Sequence, residues 1–286
     1  MKISSRLSIF TLSLFSFAGI SCEDSRPFKS PTGYDLTKPV KYNMPERLTE
    51  ISGIAFQNGK DDLLYAEEDE TGRVYYFKLG EKDIQHTEFG KDGDYEDIAV
   101  LNSKLIMMRS DATFFVFPLD QVKLPKVDSV TKIDKALPKG EYEGMYADAK
   151  TNRVYVLCKS CSADKHNKTT SGYIMALTPD GGLQQTGEFS IDIKQITDIT
   201  GQKKLTFRPS AITKNNKTGE WFILSSVNKA LVIADENWKV KGVYVLDPSL
   251  FNQPEGMAFD SAQNLYISNE GDEITPGNVL KFNYQK

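Results

Sequence analysis

Pro254-Glu-Gly-Met-Ala-Phe259 is the last of five copies of one phrase, and that phrase decides the fold. The other copies are Ile51-Ser-Gly-Ile-Ala-Phe56, Tyr95-Glu-Asp-Ile-Ala-Val100, Tyr142-Glu-Gly-Met-Tyr-Ala147 and Pro209-Ser-Ala-Ile-Thr213. Anchored on Ile54, Ile98, Met145, Ile212 and Met257, they are spaced by 44, 47, 67 and 45 residues. A recurring period of this length marks a repeat protein, in which each unit buries its apolar faces against its neighbours. The one long spacing places insertions in the third and fourth repeats.

Each phrase is followed by short runs rich in β-branched and aromatic residues, bounded by Gly, Asp, Asn and Pro. The first repeat continues with Leu63–Glu67, Arg73–Lys78 and Asp83–Phe89, and the second with Lys104–Arg109, Thr113–Phe117 and a stretch near Lys126–Lys132. The third has Arg153–Cys158, Gly172–Leu177 and Gly182–Phe189; the fourth has Trp221–Leu224, Ala230–Ala234 and Val240–Leu246. Four strands per repeat make one propeller blade. The fifth repeat supplies only three, Pro254–Phe259, Leu265–Ser268 and Asn278–Phe282, and a spare strand, Pro39–Tyr42, precedes the first repeat. The sequence therefore predicts an all-β fold over residues 38–286. It is a five-bladed β-propeller whose ring is closed by an N-terminal strand completing the last blade, so that no sheet edge is left open there.

Residues 1–21 read differently. Lys2 and Arg6 precede an uncharged apolar run from Leu7 to Ile20, too short to span a bilayer comfortably and typical of a signal peptide. The run ends Ala18-Gly-Ile-Ser-Cys22, which resembles a lipobox and makes Cys22 the expected lipidation site. Glu23 and Asp24 behind it resemble a surface-export signal, and 22–37 reads as a polar tether with Pro27, Pro31 and Gly33. The expected location is the cell envelope, lipid-anchored to a membrane, with the outer membrane or cell surface included.

In a propeller, loops entering the first strand and leaving the second of each blade gather at one channel mouth, the top. Two residues before each anchor stand Ser52, Glu96, Glu143, Ser210 and Glu255. Carboxylates brought together repel one another unless protons or a cation compensate. An oxygen-only set of this kind suits a hard cation, Ca²⁺ before Mg²⁺. Arg109 and Lys159, at the ends of second strands, could instead neutralise the glutamates as ion pairs. Glu67, Glu68, Asp69, Asp97, Asn269, Glu270 and Asp272 fall on the same face, as do the insertions at 160–171 and 191–207. Loops on one face of a rigid scaffold are where binding usually lives.

With Cys22 lipidated, Cys158 and Cys161 remain. In an oxidising compartment they are expected to form a local disulfide, although Cys-x-x-Cys could also be redox-active or hold zinc with His166. There is no Gly-x-Ser-x-Gly elbow and no phosphate-cradling glycine loop, and only His86 and His166 are available as imidazoles. A net charge of −4 without a basic stripe argues against nucleic acid.

The five phrases in order, with Glu50 before the first, Arg208-Pro-Ser-Ala211 in the fourth and Leu265-Tyr-Ile-Ser-Asn-Glu-Gly271 after the last, resemble the SdiA-regulated (YjiK-like) family over roughly residues 38–284. The resemblance implies a five-bladed propeller distantly similar to NHL-repeat proteins, a calcium site and no established enzymatic activity. Placing that calcium on Glu96, Glu143 and Glu255 follows from repeat position. The sequence thus points to an anchored module binding a protein, glycan or small ligand at its top face. A metal-dependent hydrolase of the SMP-30/gluconolactonase type, with Asn228 and Asn269 as further ligands, or of the phytase-like type, is the alternative.

Overall fold

The structure is a computed structural model, and it describes residues 28–165 and 168–285. The segment expected to be a signal peptide, Cys22 and His166 lie outside the described residues. Twenty strands form five four-stranded antiparallel sheets, one for each repeat.

Blade 1 is β2 (Ile51–Gln57), β3 (Lys60–Glu68), β4 (Arg73–Phe77) and β5 (Gln85–Glu88), from the inside out. Blade 2 is β6 (Tyr95–Leu101), β7 (Lys104–Arg109), β8 (Phe114–Pro118) and β9 (Thr131–Ile133). Blade 3 is β10 (Gly140–Asp148), β11 (Arg153–Cys161), β12 (Thr169–Leu177) and β13 (Leu183–Asp192). Blade 4 is β14 (Ala211–Lys214), β15 (Trp221–Ser225), β16 (Ala230–Ala234) and β17 (Val240–Val245). Blade 5 is β18 (Gln253–Phe259), β19 (Leu265–Glu270) and β20 (Asn278–Phe282), completed by β1 (Val40–Asn43) from the other end of the chain. β1 runs antiparallel to β20, from Val40 opposite Lys281 to Asn43 opposite Asn278. The innermost strands β2, β6, β10, β14 and β18 touch one another in turn and close the ring.

Five separate hydrophobic clusters hold the molecule together, and each is shared by two neighbouring blades. Ile98, Leu105 and Phe117 of blade 2 meet Tyr65 and Val74 of blade 1. Leu224 and Phe222 of blade 4 meet Met257, Ile267 and Leu280 of blade 5. Strand alternation explains the arrangement: successive side chains point to opposite faces, and both faces of every blade are covered. A lone blade would leave both faces wet.

Three details depart from the sequence reading. The outer strand of blade 2, expected near 126–132, covers only 131–133, because Lys126 makes an isolated bridge to Glu88 of blade 1 and Val127 is buried there. The tether expected over 22–37 includes a packed segment: Tyr34 and Leu36 are buried beneath blades 4 and 5, on the face opposite the phrases' start. There the Tyr34 hydroxyl donates to Gln263 O at 2.8 Å. The 191–207 insertion forms helix α1 (Ile193–Thr200), capped by Asp192 on Lys194 N and ended by Gly201 at φ 72°. It packs on β17 and buries Ile196 in the cluster between blades 3 and 4, away from the channel mouth.

Candidate functional site

The site is built by irregularities in the inner strands. Tyr95 pairs with Arg109 and Asp97 with Met108, so Glu96 is the unpaired extra residue of a β-bulge. The same offset leaves Glu143 unpaired between Tyr142 and Gly144, and Glu255 unpaired between Pro254 and Gly256. Strict alternation would have turned these residues into the blade interfaces. A bulge re-aims a side chain, and all three glutamates line one cavity of about 570 Å³ at the top of the channel.

The second strands add a ring of their own. Asp69, Lys159, Ser226 and Glu270 stand just past equivalent positions in blades 1, 3, 4 and 5, and all line the same cavity. With Asp94 and Glu141 the cavity holds seven carboxylates against two lysines, Lys159 and Lys229, so acid prevails. The sequence flags Asp69 and Glu270 only as acids on this face; their equivalence to Lys159 is legible once the second strands are aligned.

Electrostatics follow from that crowding. Burial, then Asp94, push the Glu96 carboxyl up to about 9, and Lys159 pulls it back only partly. Burial, then Glu255 and Asp69, raise Glu270 to about 8. Burial, then Glu50 and Glu68, raise Asp69 to about 6. Burial also raises Glu255, against the Ser226 hydroxyl, Lys159 and the Ser210 hydroxyl. Glu143 is paired with the Lys159 ammonium, which also stands 3.8 Å from Glu141. Arg109, the other basic residue considered from sequence, makes no ion pair among those described, and its buried Nε has no hydrogen-bond partner there.

The two serines of the ring act differently from the glutamates. Ser52 Oγ donates to Glu96 O at 3.2 Å, and Ser210 Oγ donates to Pro254 O at 2.8 Å. Each ties one inner strand to the next, and neither lines the cavity. The glycines after the bulges are needed for the same close approach. A Cβ on Gly256 would stand 2.3 Å from Ser52 O, and one on Gly53 2.4 Å from Asp97 Oδ1. Asp97 occupies the equivalent place in blade 2, and its buried carboxylate accepts Ile98 N at 2.7 Å and Met145 N at 2.5 Å.

The remaining acids divide. Glu68 accepts Glu70 N and Thr71 N, and Asp272 accepts Ile274 N and Thr275 N, so both shape loops. Glu67 Oε1 accepts Gly53 N at 2.6 Å. Glu67 Oε2, Asp69 Oδ1 and Asn269 Oδ1 are buried with no hydrogen-bond partner among the described residues. Asn228 is committed locally, to Arg208 N, Ser225 Oγ and Thr206 O. Cys158 and Cys161 form a disulfide. His86 lies on outer strand β5 against the Tyr75 ring, remote from the cavity lining. Among the described residues no helix is long and apolar enough to cross a membrane.

Fold and site together define a five-bladed β-propeller with an acidic channel mouth. The chain belongs to the SdiA-regulated family, whose model matches residues 34–273. Among solved structures it is similar to a luciferin-regenerating enzyme, at 12% identity and TM-score 0.55 over 86% of this chain and 95% of that one. It is also similar to the glutaminyl cyclase of Myxococcus xanthus, at 12% identity and TM-score 0.56 over 86% and 96%. At that identity the likeness concerns the fold alone. A search of curated proteins finds no match.

Proposed function

We propose that this chain is a membrane-anchored binding module whose acidic mouth takes a hard divalent cation, Ca²⁺ before Mg²⁺, and whose top face receives a ligand or partner. The observation that carries this reading is the convergence of bulged Glu96 and Glu255 with Glu270 and Asp69. They are acids that hold their protons to about pH 9, 8 and 6 at the three positions with a stated value. Burial first and neighbouring carboxylates second disfavour the ionised form here, and a divalent cation would offset both. The donor set fits calcium: the cavity is lined by carboxylates and amide side chains without sulfur or imidazole, and Asp69 Oδ1 is buried with no hydrogen-bond partner among the described residues. Glu96, Glu255, Glu270 and Asp69 are the residues that would hold the ion.

A proton–cation competition follows. These carboxyls bind protons more tightly folded than unfolded, so without metal stability falls as pH rises from about 4 towards 9. Added Ca²⁺ is expected to reverse that fall at pH 8, to act weakly at pH 5.5, and to release protons on binding at pH 7. A hundredfold excess over Kd stabilises by about 2.7 kcal/mol. Calorimetric titration in buffers of different ionisation heat, with thermal melts, measures both effects. The Glu96→Gln/Glu255→Gln variant should lose the calcium response and melt higher than the parent at pH 8 without metal. Equal melting of the parent with EDTA, Ca²⁺, Mg²⁺ and Mn²⁺ would sink the cation reading.

The anchor has a geometric consequence. Residues 30–36 are seated on the bottom face, where Gln285 N also donates to Gly33 O at 2.8 Å. Ser30 is eight Cα–Cα steps from Cys22, a reach of at most roughly 28 Å. A lipid on Cys22 therefore holds the bottom face towards the membrane and turns the acidic mouth away from it. Cys22→Ala is expected to move the protein from the membrane to the soluble fraction. Continued membrane association of that variant would remove the anchor.

A further inference from the structure

We propose that Lys159 is a tethered ammonium competitor of the cation, held in the acidic mouth by the disulfide that spans it. This rests on the cation-binding reading above and adds the residue that sets its affinity.

The geometry begins with a doubled irregularity in blade 3. Glu141 pairs with Ser160 and Tyr142 with Cys158, so Lys159 is an unpaired extra residue on β11. One step along, Tyr142 pairs with Cys158 and Gly144 with Leu157, so Glu143 is the extra residue on β10. Two bulges facing each other expel one acid and one base from the same ladder. The two side chains meet as an ion pair, with Glu143 only 7% exposed and Lys159 24%. The ammonium also acts on Glu96 and Glu255, lowering both, so it serves glutamates of three blades.

The disulfide Cys158–Cys161 closes a loop whose interior is Lys159 and Ser160. Cross-links around so few residues remove little entropy from the unfolded chain, and their stabilisation falls with loop length. Its consequence here is local: both ends of the bulge that carries Lys159 are fastened. Gly140 makes room for the clasp, since a Cβ there would stand 2.3 Å from Cys161 Sγ. Blades 1 and 5 carry acids, Asp69 and Glu270, at the position where blade 3 carries Lys159. Lys159 is therefore the positive member of a second-strand ring whose other cavity-lining members are two acids and Ser226, fixed where a cation would bring its own charge.

Two positive charges in one mouth repel, and so the ammonium weakens cation binding. Without it, Glu143 becomes a further ligand. Calcium titration calorimetry at pH 7.5 on the intact exported chain tests the idea. Lys159→Met is expected to tighten Ca²⁺ binding about tenfold or more. Lys159→Arg, which keeps the charge, should match the parent. Cys158→Ser/Cys161→Ser should tighten binding by less, because the lysine is then free to leave. Adding Lys159→Met to that pair should give no gain beyond Lys159→Met alone. Thermal melts show that each variant is folded, and Lys159→Met should gain more from Ca²⁺ than the parent does. If the parent binds Ca²⁺ and Lys159→Met binds equally or more weakly, Lys159 is a positioning residue for Glu143 and the competitor role is overturned. If neither protein binds Ca²⁺, Mg²⁺ or Mn²⁺, the cation reading fails and this inference with it.

Discussion

A chain beginning at Met44 is expected to lose most of its stability and to self-associate. Removing residues 1–43 strips β1 from β20 and takes with it four paired positions, Val40 to Asn43. It also removes Tyr34 and Leu36, which are 6% and 3% exposed, and Tyr42, which packs against the cluster between blades 5 and 1. Burying each such side chain contributes roughly 1.5–3 kcal/mol. Together they approach the whole stability of a typical domain, about 5–15 kcal/mol. The exposed edge of β20 then offers a row of unpaired backbone groups to another chain. A chain beginning at residue 38 keeps β1, loses the bottom-face seat, and should fall between the two. Thermal melts and light scattering compare the three. A monomer from Met44 that melts within about 2 °C of the parent would show that the ring does not depend on its closing strand.

The second large effect is expected at Asp97. Its carboxylate is buried between blades 2 and 3, where Oδ1 accepts Ile98 N and Oδ2 accepts Met145 N. Asp97→Ala orphans two buried N–H groups, each at a cost of about 1–3 kcal/mol. Asp97→Asn keeps one acceptor but sets its amide N–H₂ against the other backbone N–H, so it should cost nearly as much. For a chain of this size the melting point should drop by roughly 2–4 °C per kcal/mol. Burial also pushes the Asp97 carboxyl well above the usual carboxylate range, although both N–H donors pull it back. The folded state thus retains this proton after the unfolded state has lost it, and stability declines as pH rises above about 4. In Asp97→Asn that contribution to the decline disappears. A Met145→Ala control separates the lost N–H acceptance from simple loosening of the blade 2–3 cluster. Unchanged melting in Asp97→Ala would mean that water replaces the carboxylate at no cost.

Both results bear on the mouth. Asp97 follows Glu96 directly, and Gly53, Gly144 and Gly256 follow the residues at the equivalent place in blades 1, 3 and 5. Where glycine stands, the next inner strand comes close. In blade 2 a carboxylate fills the gap and accepts the neighbour's N–H. The mouth's shape is therefore set by contacts between blades, so variants that loosen those contacts should weaken the proposed cation binding along with stability.

Much of this was legible in the chain. Five phrases at a near-constant period, each followed by short β-branched and aromatic runs, specify repeated four-stranded units. A fifth unit one strand short, with a spare strand at Pro39–Tyr42, specifies ring closure, and the structure places that strand at Val40–Asn43. Both depend on composition and spacing, which local sequence carries. The three glutamates were also legible, because pseudo-symmetry places equivalent residues at equivalent depth. Their direction was not. Alternation alone sends Glu96, Glu143 and Glu255 into the blade interfaces, and only the bulges, which are set by pairing between strands, turn them to the channel. The serines at the same position, also read as candidate ligands, donate to the backbone carbonyls of the next blade, and the Ser210 hydroxyl also reaches Glu255 and accepts Ser226 N. The fate of Lys159 was likewise decided by tertiary structure. The sequence offered it as an ion-pair partner for the ring glutamates without saying which; its meeting with Glu143 depends on two bulges facing each other across one ladder. Sequence fixes which residues recur and how the strands are counted. Register, which joins positions distant along the chain, decides what each side chain faces.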